Sequence, residues 1–160
     1  DGHYDKIVSV EMIEAVGRRF LNSYFKKLNS LLKPNGLFML QAITIADQRL
    51  GVYNKNEDFI QKHIFPGGYL PSLALISNIL SKKTELVIRD VLDIGLDYAQ
   101  TLAHWNQTFQ SNENYVKALG YDDRFCNLWS YYLGYCEGGF REKRISAAQL
   151  LTSKAPHRSP

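Results

Sequence analysis

Cysteine is nearly absent from this chain: the only two are Cys126 and Cys136. Two thiols so spaced exclude a disulfide framework, a CxxC redox pair and a zinc knuckle, and both read as reduced thiols of a cytoplasmic protein. Proline is scarce, at 5 residues in 160, which excludes collagen-like and Pro-rich linker architectures. Neither sign of charge dominates. Nineteen Lys+Arg against 16 Asp+Glu leave a net charge of +3, too little to make nucleic acid an expected partner. No apolar run approaches the roughly 20 residues a membrane helix needs. The longest, Leu37 to Ile45, is interrupted by Gln41 and Thr44. His3, His63, His104 and His157 show no HxxxH-type spacing, so no metal site is expected. Also missing are a GxGxxG-type loop, a GxxxxGK[ST] loop and a GxSxG elbow, and with them any complete phosphate cradle, dinucleotide fingerprint or serine-hydrolase nucleophile.

What remains is a well-proportioned globular composition, 45% hydrophobic and 12% aromatic, enough for one domain over residues 1–160. Lys6 to Val10 is β-branched and reads as a buried strand. Phe20, Leu21, Tyr24, Phe25, Leu28, Leu31 and Leu32 then recur at helical spacing. Lys33-Pro34-Asn35-Gly36 predicts a stop with a left-handed turn. A second strand, Leu37 to Ile43, completes a βαβ unit, so the two strands are expected to be parallel. Ile45 to His63 is polar and irregular. Phe65 to Tyr69 is turn-rich, and Pro71 suits the first turn of a helix that buries Leu73, Ile76, Ile79 and Leu80. Leu86 to Val91 predicts a third strand. Tyr98, Leu102, Trp105 and Phe109 mark one later helix, and Phe125, Leu128, Trp129, Tyr132 and Cys136 another. Gly138-Gly139 reads as a break, Ala147 to Ser153 as the last strand and Lys154 to Pro160 as a frayed tail. Tyr131, Tyr132 and Tyr135 are expected in the core, with an apolar channel beside Cys136 as the alternative.

Parallel α/β sheets bind ligands at the carboxyl ends of their strands. Glu11 and Glu14 follow the first strand, Gln41 and Ile43 close the second, and Asp97 and Tyr98 come after the third. A carboxylate, an amide and a phenol at neighbouring strand ends suit positioning and proton transfer. Each also has a structural reading. Glu14 at a helix N-terminus favours the dipole, Gln41 fits a satisfied core amide, and Tyr98 lies on the apolar stripe of its helix.

Several stretches together resemble the cyclopropane-fatty-acyl-phospholipid synthases. They are YDKIVSVEMIEAVG (residues 4–17), LLKPNG (31–36), IFPGGYLPS (64–72), GLDYAQTL (95–102) and YYLGYC (131–136) with Gly139-Phe140-Arg141. The resemblance implies the C-terminal half of a class I S-adenosylmethionine-dependent methyltransferase, an α/β Rossmann-like fold. Its mixed sheet would be ordered 4-5-7-6 in the family's strand numbering, the last strand antiparallel between its neighbours. It implies transfer of a methyl group to the cis double bond of a phospholipid acyl chain at the membrane surface. The cationic intermediate then loses a proton and the ring closes. Bicarbonate is the implied proton acceptor, held by Glu14, Tyr98 and the Ile43 backbone amide, with Gln41 where many members carry histidine. Val10 and Glu11 would meet S-adenosylmethionine; Leu102, Tyr132, Cys136 and Phe140 would line the acyl pocket.

Further expectations follow from the resemblance. The glycine-rich first strand is expected upstream of Asp1, so the 160 residues alone are expected to bind S-adenosylmethionine poorly and to be inactive. Lys6 to Val10 would then be a bare apolar edge, and such edges seek partners, so a homodimer through that strand is expected. The location implied is cytoplasmic and peripheral to the membrane. An N- or C-methyltransferase on another substrate and a non-catalytic lipid-binding or assembly module are the alternatives.

Overall fold

The structure, a computed structural model, describes residues 2–154. The tail expected after Lys154, with His157, lies outside the described residues. Lys154 itself is the last residue of a strand.

Within residues 2–154 the chain groups into two compact units, one formed by the segment up to Asp93 together with the chain from Ala147 onward, the other by Ile94–Ser146. The first unit is built on strands β1 (Tyr4–Val10), β2 (Leu32–Ile45), β3 (Leu86–Asp93) and β4 (Ile145–Lys154, from Ala147 on in this unit). They are ordered β1-β2-β4-β3. β1 and β2 are parallel, with Val8 beside Met39 and Val10 beside Gln41. β3 and β4 are antiparallel. Gln149 bonds to Gln41 while Thr152 bonds to the Phe38 carbonyl, so the two chains run in opposite senses there and β4 is antiparallel to β2 as well.

The helices of this unit are α1 (Ile13–Val16), α2 (Leu21–Leu31), α3 (Leu50–Tyr53), α4 (Phe59–His63) and α5 (Leu73–Lys83). Phe38, Leu40 and Ala42 alternate along β2 and are buried against Leu21 and Phe25 of α2 and Ile76, Ile79 and Leu80 of α5. That alternation is the pleat at work, since residues two apart share a face. The opposite face is more open: Met39, Gln41 and Ile43 are only half-buried, and Val8 and Val10 are exposed. The reading of β1 as a buried strand is therefore corrected. It is an edge strand, and only Ser9 is buried while Ile7 is half-buried.

The turn expected at Lys33–Gly36 is instead an irregular stretch of β2, where the register slips between Tyr4 and Lys6 of the partner strand. Gly36 is not in the left-handed region. Its lack of a side chain serves close packing, because a Cβ there would lie 2.5 Å from Leu32 Cγ. Pro71 is not in the first turn of α5. Ser72 is the N-cap, its Oγ accepting from the Leu75 N–H, as cap residues do. The segment after Ile45 is more regular than expected, with α4 opened by a reciprocal capping box between Asp58 and Gln61.

The second unit consists of α6 (Gly95–Ser111), α7 (Glu113–Ala118) and α8 (Asp123–Arg141), with α6 and α8 packed along each other. Its buried line on α8 runs through Cys126, Leu133 and Phe140. The stripe Phe125, Leu128, Trp129, Tyr132 and Cys136 is only half-buried. Trp105, Tyr131 and Tyr135 are exposed, contrary to expectation. α8 runs through Gly138-Gly139 without a break. A Cβ on Gly139 would approach the Ile145 side chain at 3.2 Å, so that glycine admits the chain leading into β4.

Candidate functional site

The carboxyl ends of β1 and β2 meet a short helix, α1, whose buried Ile13 anchors it in the core. That anchoring places Glu14 beside β2. The Ile43 backbone N–H donates to Glu14 Oε1 at 2.6 Å. Glu14 Oε2 is buried and has no hydrogen-bond partner among the described residues. A buried carboxylate oxygen without a partner is costly. Burial is the main reason the Glu14 pKa is raised above the ordinary carboxylate value. The hydrogen bonds from its own backbone N–H and from Ile43 work against that, and the charge of Glu11 adds to it.

A second chain of contacts lies beside it. Gln149 Nε2 donates to Gln41 Oε1 at 2.8 Å, and Gln41 Nε2 donates to Glu11 Oε1 at 2.8 Å. Glu11 is held in the left-handed backbone region with φ 48, where non-glycine residues are uncommon and strain collects at functional sites. Its backbone N–H donates to the Gln41 carbonyl at 2.9 Å, which fixes that conformation. Val10, just before it, is exposed.

The IFPGGYLPS stretch acts as a clamp on these strand ends. The Tyr69 N–H donates to the Glu14 carbonyl at 2.9 Å, and the Ile45 N–H donates to the Pro71 carbonyl at 3.0 Å. The Leu70 N–H donates to the Tyr53 hydroxyl, and Gln61 Nε2 to the Gly68 carbonyl.

In the first unit, then, Glu11, Glu14, Gln41 and Ile43 are brought together, as their strand ends suggested. In the second unit Tyr98 sits in the first turns of α6 with its ring 4.9 Å from that of Phe140. Leu102 and Phe140 are buried there, and Tyr132 and Cys136 are half-buried on α8. Gln149 and the positive φ of Glu11 were not anticipated. Gln149 carried the same signal as Gln41, an amide interrupting an apolar strand. Nothing local announced the backbone of Glu11.

The chain matches the mycolic acid cyclopropane synthetases over residues 1–150. It belongs to that family. It is 42% identical over 149 residues to a tuberculostearic acid methyltransferase of Mycobacterium tuberculosis, covering 93% of this chain and 35% of that protein. It is 36% identical over 151 residues to a cyclopropane-fatty-acyl-phospholipid synthase of Escherichia coli, covering 94% of this chain and 38% of that protein. Among solved structures, a mycolic acid cyclopropane synthase complexed with SAH and CTAB superposes with a TM-score of 0.85 at 26% identity, over 96% of this chain and 56% of that one. The chain thus spans little more than a third of the length of these two curated relatives.

Gln41 is the middle of the Glu11–Gln41–Gln149 chain of contacts. A neutral imidazole has one donor and one acceptor nitrogen, enough to replace both amide contacts. Gln41→His is expected to keep turnover at or above the parent level in the complete gene product; a loss of tenfold or more means the Glu11–Gln41–Gln149 chain needs the amide itself.

Proposed function

We propose that the enzyme containing this chain transfers a methyl group from S-adenosylmethionine to the cis double bond of a phospholipid acyl chain, at the cytoplasmic membrane surface. The relatives that support this reading are named for lipid substrates: fatty acids, phospholipids, sphingolipids and mycolic acids. The observation that carries it within the chain is the partnerless Glu14 Oε2, held at a strand end by the Ile43 N–H. An isolated buried carboxylate oxygen of raised basicity suits a position where a cationic intermediate releases its proton. No helix among the described residues is long and apolar enough to cross a membrane.

In this reading S-adenosylmethionine would supply the methyl group, and Val10 and Glu11 at the end of β1 would help to hold it. Bicarbonate fits these residues poorly. The single Ile43 N–H hydrogen is already given to Glu14, and Gln41 is engaged on both sides by Glu11 and Gln149. Gln41 Nε2 keeps one hydrogen, but Glu14 Oε2, without a partner among the described residues, turns a carboxylate oxygen toward any anion there, and no step is assigned to bicarbonate. Leu102, Tyr132, Cys136 and Phe140 are assigned to the acyl tail.

The test incubates the complete gene product with methyl-labelled S-adenosylmethionine and vesicles of cis-unsaturated phosphatidylglycerol. Recovered acyl chains should carry the label as a ring or a branch. Tyr98→Phe, which keeps the ring on Phe140 and removes the hydroxyl, should slow this markedly. Label appearing on an added amine and never on lipid would overturn the reading.

In the 160-residue chain by itself, the open edge of β1, with Tyr4, Val8 and Val10 exposed, is where we place a homodimer contact. Light scattering is expected to give twice the chain mass, and the amides of residues 6–10 are expected to exchange slowly. A monomer with fast exchange there removes the contact.

A further inference from the structure

Beside Glu14, on the far side of the IFPGGYLPS clamp, lies a cleft of about 300 Å³. It belongs wholly to the first unit. Arg18, four residues past Glu14, lines it together with Asn54, Lys55, Glu57 and Tyr69. Two cations face one acid, so the lining carries a net charge of +1. Neither Arg18 nor Lys55 has an ion pair among the described residues. The ion pairs among the described residues join Lys33 to Asp5, Lys117 to Glu113 and Asp123, Arg141 to Glu137 and Lys154 to Glu85, all away from the cleft.

The neutral groups are set up as donors. Tyr69 is buried, and its hydroxyl donates to Asn54 Oδ1 at 3.0 Å. That bond turns the Asn54 amide so that its Nδ2 hydrogens remain for another acceptor. Tyr69 is fixed in turn by its backbone bond to Glu14, and Gln61 is tied to the Gly68 carbonyl. The cleft therefore has a hydrogen-bonded floor and two exposed cations in its lining. A planar guanidinium, a point-charge ammonium and an amide donor arranged around one volume match a tetrahedral oxyanion, which accepts from several directions. A carboxylate would use fewer of them. The volume holds a glycerophosphate-sized group and not an acyl chain.

We propose that this cleft is a phosphate-ester subsite, with Arg18 and Lys55 as its cations and Asn54 as its neutral donor. The acceptor reading above enters only in naming the phosphodiester of a lipid headgroup as the natural occupant. The binding itself is measured without turnover.

The experiment is a ¹H–¹⁵N NMR titration of the chain with three probes: inorganic phosphate, sn-glycero-3-phosphoglycerol and, as a control, glycerol. The expected result is saturable shifts confined to the amides around Arg18, residues 53–57 and Tyr69 with the two phosphates and none with glycerol. Arg18→Gln and Lys55→Gln alter exposed side chains, so their spectra should otherwise be unchanged. Each should weaken binding roughly tenfold, the scale of one charge-assisted hydrogen bond. Tighter binding of the diester identifies a lipid headgroup as the source; tighter binding of inorganic phosphate identifies a free phosphate. Shifts that never saturate, or that persist equally in both variants, overturn the site. If phosphate binds and the complete gene product methylates no phospholipid, the subsite stands and the acceptor reading falls.

Discussion

Glu14→Gln is expected to lower kcat of the complete gene product by roughly 10²-fold or more, the scale of a positioned acid–base group, while leaving the fold at least as stable near neutral pH. The two halves of this expectation share one cause. Burial raises the pKa of Glu14 above its ordinary value, and the Ile43 and Glu14 backbone N–H groups only partly offset it. A carboxyl whose pKa is higher folded than unfolded favours the folded state below the unfolded pKa. That contribution is lost as pH rises through the folded pKa. The ionised Glu14 therefore costs stability at neutral pH. Glutamine keeps an Oε1 acceptor for the Ile43 N–H and carries no charge, so the cost of burying the charge goes with the reactivity and only the smaller cost of the Nε2 hydrogens remains. Thermal midpoints of the two proteins between pH 4 and pH 8 should diverge upward in favour of the variant as pH rises. Turnover with cis-unsaturated phospholipid reads the other half. Near-parental kcat in Glu14→Gln would leave the carboxylate as a helix-end residue and no more. A variant that melts lower at neutral pH would show that the charged form is stabilising after all.

Stability given up for reactivity is common at functional sites, and here three features converge on one strand end. Glu14 Oε2 has no partner among the described residues, Glu11 occupies the left-handed region, and a glutamine on each of β2 and β4 bonds the other. Only part of this was legible along the chain. Glu14, Gln41 and Ile43 were found because strand ends are predictable from β-branched runs and turns. Gln149 was missed because its partner is 108 positions away, and no local pattern pairs residues at that distance. The parallel β1–β2 pair followed from strand, helix and strand in succession. The openness of β1 did not follow from its composition, since Ile7, Val8 and Val10 look alike whether one face is covered or two. α8 defeated periodicity for a different reason. It carries aromatics on several faces, and Tyr131 and Tyr135 stack on each other at 6.0 Å on the exposed side instead of entering the core.

The helical stripe before β2 provides the sharpest contrast between pattern and packing. Phe20 and Phe25 both fall on the apolar face that spacing predicts, yet Phe25 is 0% exposed and Phe20 61%. Phe20 closes the 3-10 turn Arg18–Phe20 and is not within α2. Its direction is set by a tighter turn, so the 3.6-residue period does not apply to it. Phe25 lies in the centre of the core with Phe38, Leu40 and Ile76, and Tyr24 meets its ring edge-on at 5.2 Å. Phe25→Ala is expected to destabilise the protein by about 3–5 kcal/mol, the transfer cost of the ring plus the cavity it leaves. That is a large share of the roughly 5–15 kcal/mol that holds a domain folded. Phe20→Ala is expected to change stability by no more than about 0.5 kcal/mol, as surface substitutions do. Urea unfolding followed by circular dichroism measures both on the same footing. Equal losses in the two variants would mean that Phe20 is packed in solution and that the helical face continues through the turn. A loss confined to Phe25 places the start of the buried face at Leu21, one residue after the turn that also carries Arg18 to the rim of the phosphate cleft.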